Sequence, residues 1–129
     1  RTDMVGFVIV SHSKNLAESV VELTTMMAPT ASIKAAGGME DGGFGTSFEK
    51  IKDAIDEIYT EEGVLILMDM GSAVMTTEMV LEMMPERKVK MVDCPLVEGA
   101  VAGTVSAVGG MSFEEIADQL AEAGTEHKF

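Results

Sequence analysis

The chain has 129 residues, 47% of them hydrophobic, enough for one domain around a single core. Nine basic residues against 22 acidic ones give a formal charge of -13, a surface that repels nucleic acid and anionic lipid and either attracts a basic partner or serves solubility alone. No tryptophan, a single tyrosine and a lone Cys94 exclude a base-stacking platform and an internal disulfide and fit a reducing, cytoplasmic setting.

The first apolar run, Val5 to Val10, is short, rich in β-branched residues and free of charge, as in a strand buried on both faces of a parallel sheet. Asn15 with Glu18 predicts a capping box opening a helix, with Leu16, Val20, Leu23 and Met27 as its inward stripe and Pro29 beyond its end. A short strand over Ser32 to Ala36 leads into the glycine-rich stretch Gly37 to Gly45. Thr46 with Glu49 predicts the next cap, and Phe48, Ile51, Ile55 and Ile58 line the helix that follows. Val64 to Met68 is a third strand. The helix after it, running to about Met84, is apolar around most of its circumference, which predicts heavy burial, partly by a second subunit. Val89 to Val92 read as a fourth strand, Gly99 to Val108 as a small-residue helix, and Ser112 with Glu115 as the cap of a last helix bearing Phe113, Ile116 and Leu120.

Strands alternating with helices predict an α/β fold: a doubly wound, mainly parallel sheet of four to five strands with helices on both faces. Residues 4–129 read as one domain, and residues 1–3 as a disordered start or an appended remnant. No apolar run reaches the roughly 18–20 residues of a membrane span, and no basic segment with a long apolar stretch behind it opens the chain as a signal peptide would.

In an open parallel sheet, ligands sit beyond the carboxyl ends of the strands. Those ends deliver Ser11-His12-Ser13, Gly37-Gly38, Asp69-Met70-Gly71-Ser72 and Asp93-Cys94-Pro95-Leu96. His12 is the one side chain among them able to act as a nucleophile near neutral pH without a cofactor. Asp69, ending the next central strand, is placed to accept from one ring nitrogen, fix the tautomer and stabilise the cation that develops on attack. Position alone also suits a solvated loop histidine, and for Asp69 a helix N-cap, a role that can coexist with the first.

A phosphoryl group needs donors: Ser72, Gly71 and the helix start there supply them, Gly37 and Gly38 lie close by, and Ser13 flanks the ring, with local turn bonding as its alternative. The glycine-rich stretch lacks both the P-loop lysine pattern and a G-x-G-x-x-G after the first strand, so it reads as a lip over the site rather than a nucleotide loop. Cys94 as a thiol nucleophile would need an arginine six residues on, where Ala100 stands. His12, His127 and Cys94 show no metal-ligand spacing.

Three segments, Val8-Ile9-Val10-Ser11-His12-Ser13, Met68-Asp69-Met70-Gly71-Ser72 and Pro95-Leu96-Val97-Glu98-Gly99-Ala100, resemble the DhaM family of dihydroxyacetone kinase phosphotransfer subunits, part of the mannose-type enzyme IIA group of the phosphoenolpyruvate-dependent phosphotransferase system. The resemblance covers nearly the whole chain. It implies a cytoplasmic, homodimeric α/β phosphoryl carrier whose phosphorylated histidine falls on His12 and whose histidine-orienting aspartate falls on Asp69. It further implies HPr as phosphate donor and, as acceptor, ADP held by the DhaL subunit, which works with DhaK on dihydroxyacetone. No cofactor would then be bound by this chain itself, and no nucleic acid or membrane would be a partner. Some members append HPr-like and enzyme I-like domains; this chain stops after the first domain, which implies separate carriers. Mannose-type sugar-transport subunits, which donate to a IIB domain, commonly carry Gly-Gly-Ser/Thr-Pro after the aspartate, where Met70-Gly71-Ser72-Ala73 stands here. That sugar-transport role is one alternative, and a non-catalytic α/β regulatory or binding module is another.

Overall fold

The computed structural model describes residues 3–129; Arg1 and Thr2, part of the start expected to be disordered or appended, lie outside the described residues. Strands β1 (Gly6–Ser11), β2 (Ser32–Gly37), β3 (Val64–Met68) and β4 (Val89–Met91) form one parallel sheet in the order β2-β1-β3-β4. Helices α1 (Lys14–Met27), α2 (Phe48–Ile58), α3 (Ala73–Glu82), α4 (Leu96–Val108) and α5 (Phe113–Ala123) cover its two faces. The doubly wound, parallel α/β arrangement read from the sequence is the one found, with four strands.

Side chains alternate along the strands, so each strand feeds two cores. Phe7 and Ile9 of β1 with Leu65 and Leu67 of β3 pack against α1, α4 and α5. Val8, Val10, Val64 and Ile66 pack on the other face against Ile51 and Ile55 of α2 and Ala73 and Val80 of α3. Right-handed crossovers account for the split: β1 to β2 runs one way across the sheet, while β2 to β3 and β3 to β4 run the other, so α1 lies opposite α2 and α3. The order therefore reverses between β1 and β3, the place in an open parallel sheet beyond whose carboxyl ends ligands sit.

Several local expectations shift. The cap of α1 is Ser13, whose hydroxyl accepts from Leu16 N–H, rather than Asn15. Its buried face is Ala17, Val20 and Thr24, while Leu16, Leu23 and Met27 are exposed; Val20 is shared with the expected stripe, but small and polar residues rather than the larger apolar ones flank it on the sheet side. The cap of α2 is likewise Ser47, not Thr46. Its apolar stripe stands, with Ile51 and Ile55 fully buried. Helix α4 begins at Leu96, because the pre-set φ of Pro95 (-60°) lets helical turns start directly after it. The capping box of α5 forms as read from Ser112 and Glu115. In helix α3, Ala73, Thr77 and Val80 are buried within the chain and Met75, Met79 and Met83 stand exposed, because a helix lying on one sheet face covers a single stripe; the burial expected from a second subunit would fall on that exposed side.

Candidate active site

The carboxyl ends of β1 and β3 bring His12 and Asp69 together. In the parallel register Val10 pairs with Met68, so the next residues, Ser11 and Asp69, come level, and Asp69 N–H still donates to Val10 C=O at 3.2 Å. The carboxylate then faces the turn leaving β1. Its Oδ1 lies 3.0 Å from His12 Nδ1; its Oδ2 accepts from His12 N–H at 3.0 Å and from the Ser11 hydroxyl at 2.8 Å.

Burial pushes the Asp69 carboxyl toward protonation. The bonds from His12 N–H, from Ser11 and from the His12 ring outweigh it and hold the group below its ordinary value. A carboxylate can only accept, so Nδ1 carries the ring proton in the neutral imidazole and Nε2 carries the lone pair. Ser72 Oγ, 2.8 Å from Nε2, is then the donor in that contact. The His12 side chain keeps 23% of its surface exposed against 12% for Asp69, so the ring can be approached while its partner is held inside.

Ser72 precedes α3 and makes no side-chain capping bond, which leaves its hydroxyl for the ring. The first helical bonds run from Ala73 N–H to Met70 C=O and from Val74 N–H to Gly71 C=O. The amides of Met70, Gly71 and Ser72 therefore stand ahead of the hydrogen-bonded helix, at its positive end. Nε2 thus lies against the Ser72 hydroxyl at the exposed, positive end of α3.

The other expected site residues do different work in this state. Ser13 Oγ accepts from Leu16 N–H as the cap of α1. Gly37 is buried at the end of β2, where an added Cβ would lie 2.5 Å from Ser13 C=O and 2.7 Å from Ala17 Cβ; its carbonyl accepts from Lys50 Nζ at 2.9 Å. Gly38 N–H donates to Ser11 C=O at 3.0 Å. These two glycines let the chain pass tightly behind the histidine turn.

Ser11 carries more than its sequence context suggested. Fully buried, it donates to Asp69 and accepts from Ser13 N–H at 2.9 Å. A hydroxyl closing an otherwise apolar strand is the signal that could have marked it. Cys94 lines a cleft of about 330 Å³ between β3 and β4 with Asp69 and Asp93. Burial, reinforced by Asp93, raises its thiol to about 11, which keeps it protonated and unreactive near neutral pH.

Residues 6–122 match the family model for the PTS system fructose IIA component, EIIA-man. The chain belongs to the EIIA-man family. Within it, similarity runs to subunits named DhaM. The phosphotransferase subunit DhaM of a PTS-dependent dihydroxyacetone kinase from Lactococcus lactis is 37% identical over 115 residues, covering 89% of this chain and 92% of that one. The phosphoryl donor subunit DhaM of the PEP-dependent enzyme from Escherichia coli is 41% identical over 120 residues, covering 88% of this chain and 25% of its own length. The chain thus spans about a quarter of that relative. In fold it resembles the mannose/sorbose-specific IIA subunit of Enterococcus faecalis, with a TM-score of 0.60, 22% identity, and 93% and 89% of the two chains covered. Among the described residues, no helix is long and apolar enough to cross a membrane.

Proposed function

We propose that this EIIA-man domain is a phosphoryl carrier that takes phosphate from phospho-HPr onto His12 Nε2 and passes it to ADP held by a DhaL subunit, for phosphorylation of dihydroxyacetone with DhaK. The observation that carries the reading is the pair of contacts on one ring. Asp69 occupies Nδ1 and leaves Nε2, with its lone pair, facing outward beside Ser72 and the start of α3. The DhaM relatives, at 35% to 41% identity, favour this acceptor over a sugar-specific IIB domain.

In the forward step the Nε2 lone pair attacks phosphorus in line with the donor's N–P bond, which breaks with its electron pair returning to the donor ring. No proton need move: the donor ring loses its positive charge and the His12 ring gains it, with Nδ1–H still bonded to Asp69. The carboxylate steadies that cation, while Ser72 Oγ–H and the amides at the start of α3 face the phosphoryl oxygens. Phosphoryl transfer requires mainly positioning and charge stabilisation, and these groups supply both. In the second step an oxygen of the ADP β-phosphate attacks, and the His12 ring leaves as neutral imidazole. Ser13, Gly37 and Gly38 shape the turn rather than hold the phosphate. The cytoplasmic setting and the homodimer belong to the same proposal.

The test is mass spectrometry after incubation with phosphoenolpyruvate, enzyme I and HPr. One acid-labile phosphate mapped to His12, absent from His12→Ala, is expected. Uptake of acid-labile phosphate by His12→Ala would overturn the assignment, and transfer to a IIB domain but not to DhaL-ADP would overturn the acceptor.

A further inference from the structure

The most exposed large side chain next to the site sits on a loop too well tied to be a loose cover. Residues 38–46 leave β2 as a compact lip closed by its own bonds. Met39 N–H donates to Gly43 C=O at 2.8 Å, Gly42 N–H to Met39 C=O at 2.9 Å, and Gly43 N–H to Asp41 Oδ1 at 2.8 Å. Both ends are fastened to the histidine turn, through Gly38 N–H to Ser11 C=O at 3.0 Å and Gly45 N–H to His12 C=O at 2.9 Å.

Gly45 has φ 137°, a backbone conformation that favours glycine, and its bare Cα leaves room for the Met39 thioether, which a Cβ there would meet at 2.8 Å and push aside. Thr46 Oγ1 lies 3.0 Å from Thr76 Oγ1, one helical turn after Ser72 and so on the same face of α3. The lip is thus moored to the ring's own backbone on one side and to the helix carrying Ser72 on the other.

On this lip Phe44 is 86% exposed and Met39 40%, and Met70, next to Asp69 in the chain, is 55% exposed. An aromatic side chain held out in water gains nothing for folding there. Glu40 and Asp41, both exposed, add negative charge beside it on a chain already at -13. An apolar centre with an acidic rim, next to a nucleophile that another macromolecule must reach, has the anatomy of a protein-binding hot spot.

We infer that the lip, with Phe44 as anchor and the exposed Met39, together with Met70 after the third strand, is the docking surface for the phosphohistidine-bearing donor protein. That partner would present an apolar patch ringed by basic side chains around its own reactive ring. The inference rests on the carrier reading above and adds to it the surface that selects the donor. Because the lip is already ordered by its internal bonds, docking would not have to order it first.

The experiment is steady-state and single-turnover phosphorylation of the full chain by phospho-HPr. Phe44→Ser and Met39→Ser should each raise KM about tenfold or more, with the single-turnover rate at saturating donor within about twofold of the unaltered protein. Phe44→Leu should recover most of the loss. Glu40→Lys should raise KM and flatten the dependence of kcat/KM on ionic strength. Met26→Ser, at an exposed methionine on α1, should change neither constant. An unchanged KM in Phe44→Ser would overturn the inference. So would a fall in the saturated rate alone, a rise in KM for DhaL-ADP without one for HPr, or a shift of sedimentation from dimer to monomer that marks the patch as a self-association surface. Failure of the carrier reading looks different: the unaltered protein would take up no phosphate, and the docking assignment would fall with it.

Discussion

Replacing Asp69 with Asn keeps the shape of the site and removes the charge, and the geometry dictates how the amide must sit. Of the two contacts at Oδ2, the one from His12 N–H is a backbone donor that cannot reverse, so the amide oxygen has to stay there. The amide NH2 then faces Nδ1, where the present contact is 3.0 Å. The ring can satisfy it only by moving its proton to Nε2, which removes the lone pair that would attack.

Two losses follow. The carboxylate no longer stabilises the developing imidazolium: two unit charges about 4 Å apart at an effective dielectric near 20 interact by about 4 kcal/mol. Partial exposure and partial charge development halve this to ~2 kcal/mol, or about 30-fold. Reaching the attacking tautomer opposes an amide donor with a ring N–H, costing ~2 kcal/mol more, another 30-fold or so. The expected fall in the single-turnover rate of phosphorylation by phospho-HPr is therefore on the order of 10³. Rapid quench with labelled donor measures it, and ring 15N shifts should place the proton on Nδ1 in the unaltered protein and on Nε2 in the variant. A rate within tenfold of the unaltered protein, or a proton already on Nε2 before substitution, would refute the reasoning. Stability supplies a second readout. Because the folded pKa of Asp69 is depressed, its contribution is fully present above the ordinary aspartate value of 3.8 and is lost as pH falls through the folded value. Urea midpoints of Asp69→Asn should accordingly decline less steeply below about pH 4 than those of the unaltered chain.

Ser72→Ala removes the hydroxyl facing Nε2 but no helix cap; phosphorylation should slow by about 3–10-fold, with the thermal midpoint nearly unchanged in calorimetry. Gly37→Ala places a methyl 2.5 Å from Ser13 C=O, and urea denaturation should show a loss of about 1–3 kcal/mol. Cys94→Ala should leave the transfer rate within twofold or so, and alkylation of the native Cys94 near pH 8 should be far slower than for an exposed thiol, consistent with its pKa of about 11.

The α/β class was legible because β1 and β3 are unbroken apolar runs, a pattern that survives any small error in placement. Helix phase was less legible. In α1 the true cap, Ser13, lies two positions before Asn15, and both are good capping residues. In α3 hydrophobicity alone set no single inward face: within this chain only the stripe of Ala73, Thr77 and Val80 facing the sheet has anything to pack against, and Met75, Met79 and Met83 lie on the sides left for any second subunit.

Taken alone, the order of residues determined which groups leave the carboxyl ends of the strands: His12 after the first, Asp69 and Ser72 after the third. Strand termini are local features, written in hydrophobic runs and the polar residues that stop them. That Asp69 takes Nδ1 and Ser72 takes Nε2, that Ser11 donates to the same carboxylate, and that Gly45 and Thr46 bind the lip to the His12 backbone carbonyl and to α3 were decided only by the tertiary structure. Those contacts span tens of residues along the chain, and a register step of one residue between β1 and β3 would have turned the carboxylate to the opposite face of the sheet.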